Sequence, residues 1–276
     1  MPELTKEELQ IRTENRALMK KSGGKEPEGY KSDQQKMLPQ PPLTKEPMGG
    51  EVTQLPRDFK ALDFEKDFFE ILMKRCSSRV YTEKPITLLQ LSFLLWATQG
   101  VKGIRGRKYA TLRTVPCGGA RHPFETYLLV KNVEGLKPGK YHYLPMDHTL
   151  EFLGEVEDMD SAMDISMVGQ HWAVKSGVIF YWSFVPYRTE WRYGIYCHPA
   201  PLADIGHVGE NLYLAATAAK LGTCGIGAYD QKFCDEMFGL DGDDEYIIYT
   251  ETVGTIRPED AQAEKDFYKF VEEAGW

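Results

Sequence analysis

No two cysteines in this sequence are spaced as CxxC, and the five present, Cys76, Cys117, Cys197, Cys224 and Cys234, are odd in number and scattered. That pattern argues against a disulfide framework or a structural zinc site and favours reduced thiols that pack as small hydrophobes. Long apolar runs are also missing, because polar residues interrupt every candidate before it could span a bilayer. The opening stretch MPELTKEELQIRTENRALMKK alternates charges and holds no apolar core of the signal-peptide kind, so a cytoplasmic chain without a membrane partner is expected. Basic residues do not dominate: 33 Lys and Arg face 41 Asp and Glu, a net charge of -8. Nucleic acid is therefore not an expected partner, and any anion site has to be local. His142, His148, His171, His198 and His207 show no HExxH or similar spacing, so no metal site is assigned.

What is present is enough apolar material for one large core, since 42% of the 276 residues are hydrophobic and 12% aromatic. Residues 1–60 differ in texture, being rich in Lys, Glu, Gly and Pro with little apolar periodicity. Tyr30, Leu38, Leu43, Met48 and Leu55 are spaced there like hooks on a strap, which predicts an extended arm over the core or over a partner subunit. Residues 61–276 form the expected domain. In it, Phe64, Phe68, Ile71 and Leu72 fit one face of a helix, and Thr87 can cap a second helix striped by Leu88, Leu91, Leu94 and Leu95 and ended by Gly100. Strands are predicted around Leu128, around Phe180 and in EYIIYTETV near the end. A long helix with Ile205, Val208, Leu212, Ala215, Ala216 and Ala219 inward is expected to stop at Gly222. Helices interleaved with well-separated strands point to an α+β sheet flanked by helices.

Four stretches could carry chemistry. Arg75-Cys76-Ser77-Ser78-Arg79 offers two guanidiniums and two hydroxyls within five residues, a donor cluster suited to phosphate, with a solvated basic turn as the plain alternative. Pro116-Cys117-Gly118-Gly119-Ala120-Arg121-His122 lets backbone approach a flat ligand and aim its N–H groups. An ordinary turn is the alternative there, and a Cys117–His122 nucleophile lacks a third group to orient the histidine. Gly222 to Asp230 is read as a glycine-rich loop, either a helix stop or backbone laid against a ring. It is not a dinucleotide fingerprint, because it follows a helix where that motif follows a strand. Arg257, after the last strand, could join a distant anion site or sit on the surface.

In their order and spacing these stretches resemble the nitroreductase superfamily, and within it the SagB-type, thiazole/oxazole-dehydrogenase-like branch. The resemblance covers about Leu62 to the end and is carried by RCSSR at 75–79, ITLLQLSFLLWATQG at 86–100, RTVPCGGARHP at 113–123, VEGLKPGKYHY at 133–143 and GHVGENLYLAATAAKLGTCGIGAYD at 206–230. It implies a nitroreductase-like α+β sandwich with a central, mainly antiparallel sheet, an intertwined homodimer, and FMN at the subunit interface. Carried over by position, Arg75, Ser77 and Arg79 would hold the phosphate and ribityl chain, with Cys76 adding its backbone or a neutral contact. Pro116, Cys117, Gly118, Gly119 and Arg121 would flank the isoalloxazine ring, Cys117 standing where the family usually has serine. Gly225, Ile226 and Gly227 would lie against that ring, and Arg257 would complete the phosphate site. Flavin chemistry gathers negative charge near N1 and O2, which makes Arg121 the candidate catalytic donor and removes the need for a nucleophile. The expected activity is reduction of a small-molecule electrophile, a nitroaromatic or quinone, with NADH or NADPH as donor. Alternatives are an azoline dehydrogenase acting on a modified peptide and a flavin-binding protein without turnover. The adjacent pairs Lys108-Tyr109 and Lys140-Tyr141 do not map onto the lysine–tyrosine pair of the azoline enzymes.

Overall fold

The computed structural model describes residues 5–20, 27–257, 259–260, 269–270 and 272–275. The N-terminal third contains helix α1 (Lys6–Lys20), strand β1 (Glu51–Gln54), and helices α2 (Phe68–Lys74) and α3 (Leu88–Gln99). A hairpin of β2 (Val101–Arg105) and β3 (Ala110–Arg113) follows, then β4 (Phe124–Val130), β5 (Gly139–Leu144), β6 (Thr149–Gly154) and α4 (Met159–Ser166). The rest is β7 (Val178–Phe184), α5 (Tyr187–Tyr193), α6 (Pro199–Ala218), β8 (Leu221–Ile226), α7 (Gln231–Phe238) and β9 (Tyr246–Thr255).

Among the described residues, seven strands form one sheet in the order β1-β6-β5-β4-β7-β9-β8, and β2 and β3 form a separate two-stranded sheet. Every pairing between these strands is antiparallel. The middle strands are buried on both faces, which is why FETYLLV and VIFYWSF read as continuous apolar runs. Alternate side chains divide between two cores. Phe124, Leu128, Phe180 and Trp182 meet Leu91, Leu94 and Leu95 of α3 and Val208 and Leu212 of α6. On the other face, Tyr127, Leu129, Ile179 and Tyr181 meet Met163 of α4 and Cys234 and Phe238 of α7. The expected helix-flanked, mainly antiparallel α+β sandwich is the one found.

The Thr87 capping box forms as the sequence predicts: Gln90 N donates to Thr87 Oγ1 at 3.2 Å and Thr87 N donates to Gln90 Oε1 at 3.0 Å. Two expectations need correction. Asp67 caps the preceding helix and starts it at Phe68, so Phe64 lies outside it and only Ile71 is buried. Phe68, Phe69, Leu72 and Met73 are exposed. The long helix ends at Ala218, capped through Ala219, and Gly222 belongs to the strand that follows.

The strap lies over its own chain, but it is tied by polar contacts more than by apolar hooks. Leu55 is buried, whereas Leu38 and Met48 are exposed. Gln34 N donates to the Trp191 carbonyl at 2.8 Å, Lys45 N to Glu125 Oε1 at 2.7 Å, and Gly50 N to Glu151 Oε1 at 2.8 Å. Glu125 is itself paired with the buried Arg188 at 2.5 Å. Burying a carboxylate without such partners would be strongly unfavourable.

Candidate functional site

Helix α6 carries a site at each end. Near its C-terminal end, the segment 75–79 lies along β8: Ser77 forms a parallel bridge with Thr223, and Ser78 N donates to the Thr223 carbonyl at 2.8 Å. Tyr213, projecting from α6, joins both elements. Its hydroxyl accepts from Gly225 N at 2.7 Å and lies 3.0 Å from Ser77 Oγ. The Arg75 guanidinium sits 5.4 Å from the centre of the Tyr213 ring, and Arg79 lies 5.7 Å from that of Trp172. Both arginines are half-buried, so their charged ends stay accessible to an anion. Cys76 is exposed, its Sγ 3.9 Å from Ser78 Oγ.

This approach of two backbones requires glycine. A Cβ on Gly222 would fall 2.7 Å from Ser78 Cβ and 2.5 Å from Ile256 Cγ2, and one on Gly225 would fall 2.1 Å from the Tyr249 hydroxyl oxygen. The glycine-rich stretch is therefore a strand, not the expected loop. Of the three residues assigned to the ring contact, Gly225 and Ile226 lie within β8 and only Gly227 lies beyond it. Ile226 is turned into the core of the α4/α7 face, so a ligand could use its backbone but not its side chain. Arg257 directly follows Ile256, which brings it to the same corner. Its N and Nη2 each donate to Asp260 at 2.8 Å, so part of its charge is already matched.

Glu251 lies behind β8, fully buried, with Oε2 3.2 Å from Thr223 Oγ1. Thr223 Oγ1 donates there and also lies 2.8 Å from the Thr252 carbonyl, so its single hydrogen serves two acceptors and satisfies the buried carboxyl only in part. Burial pushes that carboxyl well above the usual carboxylate range.

At the N-terminal end of α6, Asp204 holds the stretch 116–122. Gly118 N donates to Asp204 Oδ2 at 3.0 Å, and the Cys117 thiol to the same oxygen at 3.2 Å. Burial, reinforced by this carboxylate, pushes the Cys117 thiol up to about 12. His122 contributes its backbone N–H to Cys117 Sγ at 3.1 Å. Its imidazole is driven down to about 2 by burial and by Arg113 and Arg121. Neither partner is suited to nucleophilic catalysis: the thiol keeps its proton and the histidine makes a poor base.

Arg121 also departs from its expected role. It is 4% exposed, its Nε donates to the Gly119 carbonyl at 3.1 Å and its Nη2 to the Tyr109 carbonyl at 2.9 Å. With Tyr109 and Trp191 rings 4.8 and 5.6 Å from the guanidinium carbon, it buttresses the loop and is not presented as a donor to a ligand.

Three of the four stretches singled out, 75–79, 222–227 and 254–257, thus converge on one corner. The fourth is held nine residues away along α6, about 13.5 Å from Tyr213 to Asp204 at the helical rise. Asp204 and Tyr213 are missing from the sequence-based assignment, because polar residues on a helix with a clear apolar stripe look like an ordinary solvent face.

A model of the nitroreductase family matches residues 72–255. A Methanocaldococcus jannaschii protein described as a nitroreductase is 33% identical over 185 residues, which cover 67% of this chain and 89% of that protein. The chain belongs to the nitroreductase family. Among solved structures, a Ralstonia eutropha protein described in the same way superposes with a TM-score of 0.60 at 26% identity, covering 80% of this chain and 95% of that one. The Escherichia coli microcin synthetase McbBCD, solved with truncated pro-MccB17 bound, contains a chain of like fold: TM-score 0.58, 18% identity, 76% of each chain covered. A further structure of this fold, from Exiguobacterium sibiricum, is a complex with FMN: TM-score 0.50, 15% identity, 71% and 90% covered. Family membership makes the protein an oxidoreductase. Among the described residues, no helix is long and apolar enough to cross a membrane.

Proposed function

We propose that this protein is a cytoplasmic, FMN-dependent oxidoreductase that takes hydride from NADH or NADPH and reduces a small electrophile, a nitroaromatic or a quinone, as a homodimer with FMN at the subunit interface. The observation that carries the reading is the corner built by residues 75–79, β8 and Arg257. There Arg75, Arg79 and Ser77 stay accessible beside backbone that only glycine allows to come so close. This donor set fits the terminal phosphate of FMN, which needs charge-assisted donors from a fork of guanidiniums and hydroxyls. The FMN complex of a protein with this fold supports the choice of cofactor.

When bound, FMN supplies a two-electron hydride acceptor that passes the electrons on. The chain's own residues bind and orient it. Arg75, Arg79 and Arg257 would meet the phosphate, Ser77 would add its hydroxyl from beside Tyr213, and Tyr213 fixes the Gly225 backbone. The loop held by Asp204 presents Cys117 as a neutral thiol, so this residue does not act as a nucleophile.

The dimer is supported by the apolar face of α2, where Phe68, Phe69, Leu72 and Met73 are exposed immediately before the arginine cluster. A second reading, azoline dehydrogenation of a peptide, draws on the likeness to the McbBCD chain. Its residue support is thin, because Tyr141 donates to the Lys137 carbonyl at 2.7 Å and Lys140 Nζ to the Met237 carbonyl at 2.8 Å, which ties both down. The test is the purified protein itself. We expect an FMN spectrum, bleaching by NADH or NADPH without oxygen, recovery on adding a quinone, and a dimer in sedimentation at micromolar concentration. A colourless protein that takes up no added FMN would overturn the cofactor, and a flavin-loaded monomer would overturn the assembly.

A further inference from the structure

Between Val101 and Phe124 the chain has Lys102, Arg105, Arg107, Lys108, Arg113 and Arg121 and no acidic residue, although the whole protein carries a net charge of -8. The first four lie on the β2–β3 hairpin and are exposed. Elsewhere cations are commonly matched, as in Lys45–Glu245, Lys74–Glu65 and Arg188–Glu125. Lys102, Arg105, Arg107 and Lys108 form no ion pair among the described residues. Such a field on an acidic molecule concentrates anions locally.

The tip of this hairpin forms one wall of an open cleft of about 670 Å³, which the strap at 40–47 and the β5–β6 turn at 144–147 also line. That volume is within the range of roughly 300–1,000 Å³ typical of small-molecule sites. Its walls are unequal. Arg107 and Lys108 supply one side, Pro41, Pro42 and Pro145 add flat apolar surface, and the acidic Glu46 and Asp147 lie on the strap and the β5–β6 turn. Tyr109 also lines it and is held firmly, its hydroxyl accepting from Gln34 Nε2 at 3.0 Å and from Arg192. Through its carbonyl, Tyr109 also holds Arg121 of the 116–122 loop, so cavity and loop share one fixed residue.

We propose that this cavity is the subsite for the phosphate-bearing end of a pyridine dinucleotide, with Arg107 and Lys108 as its anion contacts. The proposal rests on the reading that the chain draws hydride from such a donor. A dinucleotide matches both features of the cavity: flat rings for the proline-lined surface and phosphates for the unpaired cations. The acidic residues favour an orientation with the phosphates on the hairpin side.

The test is calorimetric titration of the full, FMN-loaded chain with 2′,5′-ADP, ADP, inorganic phosphate and a short polyglutamate peptide. The proposal expects 2′,5′-ADP or ADP to bind, more weakly as salt rises, and to compete with NADH or NADPH in flavin reduction. Arg107→Ala/Lys108→Ala should weaken that binding by about tenfold or more while FMN affinity stays unchanged, because both side chains are exposed at a hairpin tip. Equal binding of inorganic phosphate and nucleotides, binding of polyglutamate alone, or unchanged nucleotide affinity in the double variant would each overturn it. If the dinucleotide reduces FMN with the same KM in both proteins, the subsite is wrong and the flavoenzyme reading stands. If the chain takes up no FMN, that reading falls and nucleotide titration of the flavin-free chain decides the subsite alone.

Discussion

The two ends of α6 carry loops of opposite character. At the Asp204 end the chain satisfies its own donors: Gly118 N and the Cys117 thiol go to Asp204, and Arg121 goes to two carbonyls. At the Tyr213 end the hydrogen bonds of Gly225 N and Ser77 hold the framework, while Arg75 and Arg79, beside the Tyr213 and Trp172 rings, are half-exposed. The first arrangement fixes a shape before any ligand arrives, and the second keeps charge available for one. Preset shape next to half-exposed positive charge suits a ligand that is flat at one end and anionic at the other.

The largest effect is expected at the half-exposed arginines. Arg75→Ala/Arg79→Ala should lower FMN affinity by about a hundredfold or more, since each charge-assisted contact contributes roughly 1.5–3 kcal/mol. Equilibrium dialysis measures this, and wild-type affinity in the variant would break the contrast. Next comes Asp204→Asn. Removing the carboxylate should speed alkylation of Cys117 by iodoacetamide at pH 8 several-fold. Burial is the larger cause of the raised thiol and stays in place, so the variant should not become a fully reactive thiolate. A rate that does not change would show that Asp204 has no hold on the thiol.

A pH comparison reaches the residue behind the Tyr213 end. The buried Glu251 keeps its proton when folded, whereas in the unfolded chain it releases it above about pH 4.3. The unfolded state then binds fewer protons, so this group's contribution to stability declines as pH rises from there. Glu251→Gln should therefore raise the urea midpoint at pH 8 and leave it little changed near pH 4, and an equal shift at both would contradict the buried proton. The smallest effect is expected for Cys117→Ser, which keeps a donor for Asp204. Stopped-flow reduction by NADPH should stay within about threefold of wild type. Collapse with full FMN occupancy would give the thiol a role in chemistry.

Much of the fold was legible because its core strands and helices repeat a single pattern. FETYLLV and VIFYWSF announce two-sided burial, and Thr87 with Gln90 announces a helix start. The strands β1, β2, β3, β5, β6 and β8 were not foreseen. GTCG has low strand propensity, and its glycines are demanded by Ser78, Ile256 and Tyr249, neighbours that come from distant parts of the chain. The same limit applies at the site. RCSSR is dense enough in donors to be noticed alone, but Asp204 and Tyr213 gain meaning only from what α6 faces. Arg121 shows the reverse error: an arginine in a glycine-rich loop looks like a ligand contact until Tyr109 and Trp191 are seen around it.

The seven-stranded sheet has two open margins by topology, β1 and β8, and segments from the first third of the chain bear on both. Strand β1 covers β6 by pairing from Glu51 to Gln54, and Ser77 and Ser78 lie along β8 at Thr223. An uncovered strand presents unpaired N–H and C=O groups to any other chain, which makes it a template for aggregation. Residues 51–54 and 77–78 therefore act as chaperoning trim as well as architecture. A chain proteolysed so as to lose them would reveal β6 and β8 together and be prone to self-association.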